Sequence, residues 1–143
     1  MPTRVDFRKL DSPDKPRAVC VEIERLYEEG RKVYAFVESN AGCANLDRLL
    51  WTFSQPSFVP HRAWDGVSPV GMESVLIGTL PARPEGCSVL VAADPAPMTL
   101  LTMFDDVVDF AETFQGEARA ISRKRYAECR NAGMDMYFDG KKQ

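Results

Sequence analysis

Apolar and polar positions alternate along "RVDFRKL", residues 4–10, and predict a first strand. "SPDKPR" follows with turn residues and a candidate helix cap. "RAVCVEIERLYEEG" places Val19, Ile23 and Leu26 on one helical face, and Gly30 stands where a C-cap glycine belongs. "KVYAFVES" resumes at once as a strand rich in β-branched and aromatic residues. Strand, helix and strand in succession form a βαβ unit, the building block of a parallel sheet.

"NAGCANLDRLLWTF" predicts a second helix ending near Phe53. "SQPSFVPHRAWDGVSP" predicts a proline-punctuated loop with unusual aromatic content. "ESVLIGTL" and "CSVLVAAD" are compact apolar runs bounded by Pro and Gly, the pattern of buried strands. "PAPMTLLTM" leaves helix and strand undecided. "DDVVDFAE" predicts the last strand, and "EARAISRKRYAECRNAGM" the last helix, ended by Gly133. Helices and strands interleave, so the expected fold is an α/β layer sandwich in a single domain over residues 1–143.

The composition, 45% apolar and 27% charged, suits a soluble chain that buries its own core. No apolar run approaches the length of a membrane span, and charges interrupt the N-terminus where a signal peptide needs its apolar stretch. A cytoplasmic protein is expected. Cys20, Cys43, Cys87 and Cys129 are far apart without a CxxC pair, which predicts free thiols. The net charge of −3 argues against a surface wholly devoted to gripping phosphates.

Positive charge nonetheless gathers on the last helix, at Arg119, Arg123, Lys124, Arg125 and Arg130. At 100° per residue, Arg119, Arg123, Tyr126 and Arg130 fall within about 60° of one another. Ala118, Ile121, Cys129 and Ala132 fall on another face, expected to be the core side, and Arg125 projects toward it as a paired structural residue. Guanidinium groups bind carboxylates bidentately, and a tyrosine beside them adds apolar area with a polar tip. The stripe therefore suits an acidic peptide that also carries an apolar or aromatic residue. A solvated helix face carries the same pattern about as often.

Trp51, Phe53, Phe58 and Trp64 are close in sequence, either as a cap on the core beneath a loop or as a protein-docking surface. His61 is the sole histidine and lacks a nearby Cys or Ser partner, so a loop or structural role is expected. No GxxxxGK[ST] or GxGxxG occurs. Asp105, Asp106, Asp109 and Glu112 form one acidic cluster. An enzyme acting on a nucleotide or acidic metabolite would use it as a carboxylate metal site; ordinary strand-edge carboxylates paired with neighbouring arginines are favoured.

"RKRYAECRNAGM" resembles the C-terminal helix motif of the DNA polymerase III chi subunit family, Arg-x-x-Tyr followed by Arg-x-x-Gly. "LDRLLWTFSQPSFVPH" resembles that family's other motif, and "VVDF" lies between the two in the family's order. The resemblance implies a three-layer Rossmann-like sandwich with a mostly parallel central sheet, without catalysis, cofactor or metal. It implies a clamp-loader accessory subunit whose last helix binds the acidic C-terminal tail of single-stranded DNA-binding protein. Arg119, Arg123, Tyr126 and Arg130 are the matching positions, and contact with nucleic acid is mainly indirect. The resemblance further implies that Trp51 and Phe58, with Pro60 and His61 beside them, face a psi subunit where one exists.

Overall fold

The computed structural model describes residues 2–53, 58–114 and 116–143. The chain runs β1 (Arg4–Leu10), α1 (Lys15–Glu28), β2 (Val33–Phe36), α2 (Asn40–Thr52), β3 (His61–Ala63) and β4 (Val75–Gly78). It continues through β5 (Val89–Ala92), α3 (Met98–Leu101), β6 (Asp106–Glu112), α4 (Gly116–Asn131), β7 (Asp135–Phe138) and β8 (Lys141–Lys142).

One sheet of eight strands in the order β3-β4-β2-β5-β6-β1-β7-β8 forms the middle layer. Every described pairing is parallel except β7 with β8. The expected three-layer α/β sandwich with a mostly parallel sheet is the observed fold. Strands β2, β4 and β5 are buried at every position, as their continuous apolar runs require when both sheet faces are covered. The faces separate cleanly. Val33 and Ala35 pack with Ile23 and Leu26 of α1 and Leu46 and Leu50 of α2. Tyr34 and Phe36 pack with Leu100 and Leu101 of α3 and Cys129 of α4.

Helix starts follow the sequence cues. Asp14 caps α1 by accepting from the Arg17 N–H at 3.3 Å, with Pro16 in the first turn. Ser39 caps α2 by accepting from the Gly42 N–H at 3.0 Å. Gly133 adopts φ +80° beyond α4, its N–H donating to Arg130 O and that of Met134 to Cys129 O.

The first βαβ unit is as expected, and β5 and β6 lie between β1 and β2, so α1 crosses two strands before the chain rejoins the sheet. Two expectations need correction. The aromatic "loop" contains the edge strand β3, which pairs His61 to Ala63 with Val75 to Ile77. And β6 is not the last strand: β7 pairs in parallel with β1, then turns back through Asp139 (φ +47°) and Gly140 (φ +80°) into β8. Positive φ at both turn residues is the two-residue hairpin geometry that Asp-Gly favours.

Candidate functional site

Helix α4 lies over β6 and β7, with its inward stripe at Ala118, Ser122, Arg125 and Cys129. Ser122 and Cys129 are buried, whereas Ile121 is 44% exposed and Ala132 is exposed, so the expected core face is corrected there. Two polar residues turn inward, Ser122 against expectation and Arg125 as expected, and both have partners. The Ser122 hydroxyl accepts the Glu112 N–H at 3.0 Å. Arg125 donates to Asp109 through Nη2 at 2.5 Å and Nε at 3.2 Å, and to Ala96 O through Nη1 at 3.1 Å. Arg125 is thus the paired structural residue expected of it.

The stripe Arg119, Arg123, Tyr126, Arg130 is centred about 100° around the helix axis from this inward stripe. It points sideways, along the sheet, into a groove of about 750 Å³. All four side chains line that groove, together with Lys9, Ala111, Ala127 and Phe138. Tyr126 forms its inner wall: half-buried, its ring lies 5.2 Å from the Phe7 ring. Arg119, Arg123 and Arg130 are exposed. The four positions read from spacing are therefore brought together. The sequence reading missed Lys9 and Phe138, contributed by β1 and β7, because only the sheet order places these strands beside α4.

What separates this groove electrostatically is the state of its cations. Elsewhere in the chain each arginine has a partner. Arg8 and Arg25 meet Glu22, Arg31 meets Asp106, Arg62 meets Glu73 and Arg125 meets Asp109. Arg17, Arg48 and Arg83 donate to Phe53 O, Asn45 Oδ1 and Cys87 O, and Arg4 covers the Tyr137 ring. Among the described residues, Arg119, Arg123 and Arg130 have no such partner. Glu112 is the one carboxylate side chain among the described residues lining the groove, and Lys15 Nζ stands 3.5 Å from it.

The acidic cluster behaves differently. Asp106 is held by Arg31 of the α1–β2 connection, Asp109 by Arg125 of α4 and Glu112 by Lys15 of α1. A cleft of about 530 Å³ does open at the C-terminal ends of β2 and β5, where the following helices leave to opposite faces. That is the usual ligand crevice of open α/β sheets. Its charged groups are already engaged: Asp94 accepts the Glu38 N–H at 3.0 Å, and Arg48 donates to Asn45.

The second sequence-predicted patch lies at the opposite edge of the sheet, by β3. Trp51 and Phe58 are 49% and 56% exposed with ring centroids 5.2 Å apart, and Trp51 also lies 4.7 Å from the His61 ring. Pro60 is half-buried beside them. The His61 side chain is fully buried, its Nδ1 2.6 Å from Val59 O and its Nε2 3.0 Å from Asp47 O, so it props the patch from beneath. Phe53 and Trp64 do not belong to it. Phe53 packs on the α1–α2 core, and Trp64 packs edge-on against Tyr34 and donates to Ser68 O at 2.8 Å. Residues 54–57 of the second motif lie outside the described residues. The two patches are four strand positions apart between β3 and β6, roughly 20 Å.

The cysteines are all free. Burial pushes the thiol of Cys20 up to about 12 and those of Cys87 and Cys129 up to about 11. Among the described residues no helix is long and apolar enough to cross a membrane.

The family model described as "DNA polymerase III chi subunit, HolC" matches residues 1–137, which takes in the Trp51 patch and the Arg119, Arg123, Tyr126 and Arg130 stripe. The chain belongs to this family. Among its chi relatives, DNA polymerase III subunit chi of Escherichia coli (strain K12) is 28% identical over 119 residues, 82% of this chain and 80% of that one. DNA polymerase III subunit chi of Pseudomonas aeruginosa (strain PAO1) is 32% identical over 75 residues, 49% of this chain and 53% of its own length. Phe138 and Gln143, which line the α4 groove in this chi-family chain, lie beyond the matched span.

Proposed function

We propose that this chi-family protein is a non-catalytic, cytoplasmic accessory subunit of the DNA polymerase III clamp-loader complex. Its α4 groove binds the acidic C-terminal tail of single-stranded DNA-binding protein during replication. The observation that carries this reading is the set of guanidinium groups beside Tyr126 that have no internal partner among the described residues. An acidic partner would meet cations that need not give up an internal carboxylate first.

The chemistry fits a tail of several aspartates ending in Pro-Phe with a free carboxylate. A guanidinium takes the terminal carboxylate bidentately. Tyr126, Ala111, Ala127 and Phe138 offer apolar surface for the ring. Hydrogen bonds to charged groups contribute about 1.5–3 kcal/mol each, less where solvent reaches them. A few of these with one buried ring correspond to micromolar affinity, about −8 kcal/mol. Binding of that strength is readily reversed, as a link to a moving DNA-bound protein requires, and salt weakens it.

Trp51, Phe58, Pro60 and His61 form the candidate surface for a psi subunit. Exposed paired rings over a rigid base have the character of interface anchors. Occupying opposite ends of the sheet, the two sites allow one chain to hold the clamp loader and the single-stranded DNA-binding protein together, so that contact with DNA is indirect. The test is anisotropy with an Asp-rich peptide ending in Pro-Phe: Arg123→Ala weakens binding, and unchanged binding removes this mechanism.

A further inference from the structure

The groove has a cation that its helix does not supply. Along β1, Val5 and Phe7 face α4 and are fully buried in the core on that side. Strand alternation continues the row to Lys9, on the same face. Lys9 stands opposite Ala111 in the pairing with β6, and Ala111 lines the groove as Lys9 does. The row that fills the core beneath Tyr126 thus ends in an ammonium group at the groove's floor.

Lys9 is lightly held. Its side chain is 47% exposed, and its charge partner is Asp11, itself 77% exposed, at 3.4 Å. Exposed pairs of this kind are weak. Asp139 also lies nearby, but its Oδ1 accepts the Lys9 backbone N–H at 2.9 Å. The ammonium is therefore free to exchange Asp11 for a stronger carboxylate partner.

We propose that Lys9 is a specificity-determining residue of the groove, taking the carboxylate of an acidic side chain upstream of the bound tail's terminal residue. This rests on the tail-binding reading above. Three guanidiniums along one side of the groove and an ammonium from β1 on its floor hold the peptide from two directions. The helix cations favour the terminal carboxylate, and Lys9 selects for acidity further back. An engineered Lys9→Glu would then repel acidic tails while leaving the apolar slot intact.

The experiment is a comparison of two peptides by fluorescence anisotropy at low salt. One is Asp-rich and ends in Pro-Phe; the other has its aspartates replaced by asparagine with the terminal carboxylate kept. Lys9→Ala is expected to weaken the Asp peptide three- to tenfold and the Asn peptide less than twofold. Lys9→Arg should restore binding, and Asp11→Asn should tighten the Asp peptide about twofold. Equal effects of Lys9→Ala on both peptides, or none, with Arg123→Ala still weakening the Asp peptide, overturn the Lys9 assignment alone. Failure of the wild-type protein to bind either peptide overturns the tail-binding reading and this inference with it. Unchanged melting temperatures in the Lys9 variants show that any loss arises at the groove.

Discussion

Arg125 places Nη2 at 2.5 Å and Nε at 3.2 Å from one carboxylate oxygen of Asp109, so that α4 is bolted to β6 by a buried ion pair. The side chains are 14% and 4% exposed, and Asp109 Oδ1 accepts the Phe110 N–H as well. Two residues away, Arg123 has no internal partner among the described residues. One helix thus carries a structural arginine and a set of available ones, distinguished by a rotation around its axis.

That division predicts opposite phenotypes. Arg125→Ala strands the Asp109 carboxylate and should cost about 3–5 kcal/mol of stability, because breaking a buried pair leaves an uncompensated charge. Arg123→Ala should change stability by no more than about 0.5 kcal/mol, as exposed substitutions do. Urea denaturation followed by circular dichroism measures both. Equal destabilisation by the two variants would contradict the division.

The two tryptophans should report separately. Trp51 is half exposed, whereas Trp64 is packed on Tyr34 with its indole N–H bonded to Ser68 O. Trp51→Phe should leave emission that is blue-shifted and poorly quenched by acrylamide. Trp64→Phe should leave the opposite. Since the Trp51 patch is across the sheet from α4, Trp51→Ala should also leave affinity for the acidic peptide within about twofold.

The thiols predict a pH dependence. Burial raises Cys20 to about 12 and Cys87 and Cys129 to about 11, from an ordinary value of 9.0. Above pH 9 the unfolded chain releases these protons while the folded chain keeps them, so the unfolded state binds fewer protons and stability falls as pH rises. Their contribution is complete below pH 9 and is lost toward pH 11–12. Denaturation midpoints between pH 8 and about 11 should decline, and less steeply in Cys87→Ala if that variant folds. Iodoacetamide at pH 8 should modify half-buried Cys43 before the three buried thiols, as mass spectrometry of the native protein would show.

Much of the fold was legible because helices carry periodicity and buried strands carry continuous apolar runs. The apolar runs of β2, β4 and β5, the amphipathic α1 and the basic α4 all appear near their expected places. Short elements without either signal were not. In β3 only His61 is buried, and β8 is two exposed lysines, so neither carries a two-residue hydrophobic repeat. Asp139-Gly140 was the available signal for the last hairpin, and it follows the alternating "DMYF" directly. The groove's helix side was visible because four positions on one helix face are a local relation. Its sheet side was not. Lys9, Ala111 and Phe138 converge only because β1 sits between β6 and β7, an order that no local pattern encodes. Ser122 misled the reading of α4 for a related reason: its partner, the Glu112 N–H, lies on another element.

One titration tests tail binding by the α4 groove most directly. A labelled Asp-rich peptide ending in Pro-Phe is added to the wild-type protein and to Arg123→Ala, and then repeated with its terminal carboxylate amidated. Micromolar binding that falls at least tenfold, about 1.4 kcal/mol, with either change, and weakens as salt rises, is the predicted result. Affinity indifferent to the arginine, to the carboxylate and to salt would contradict it.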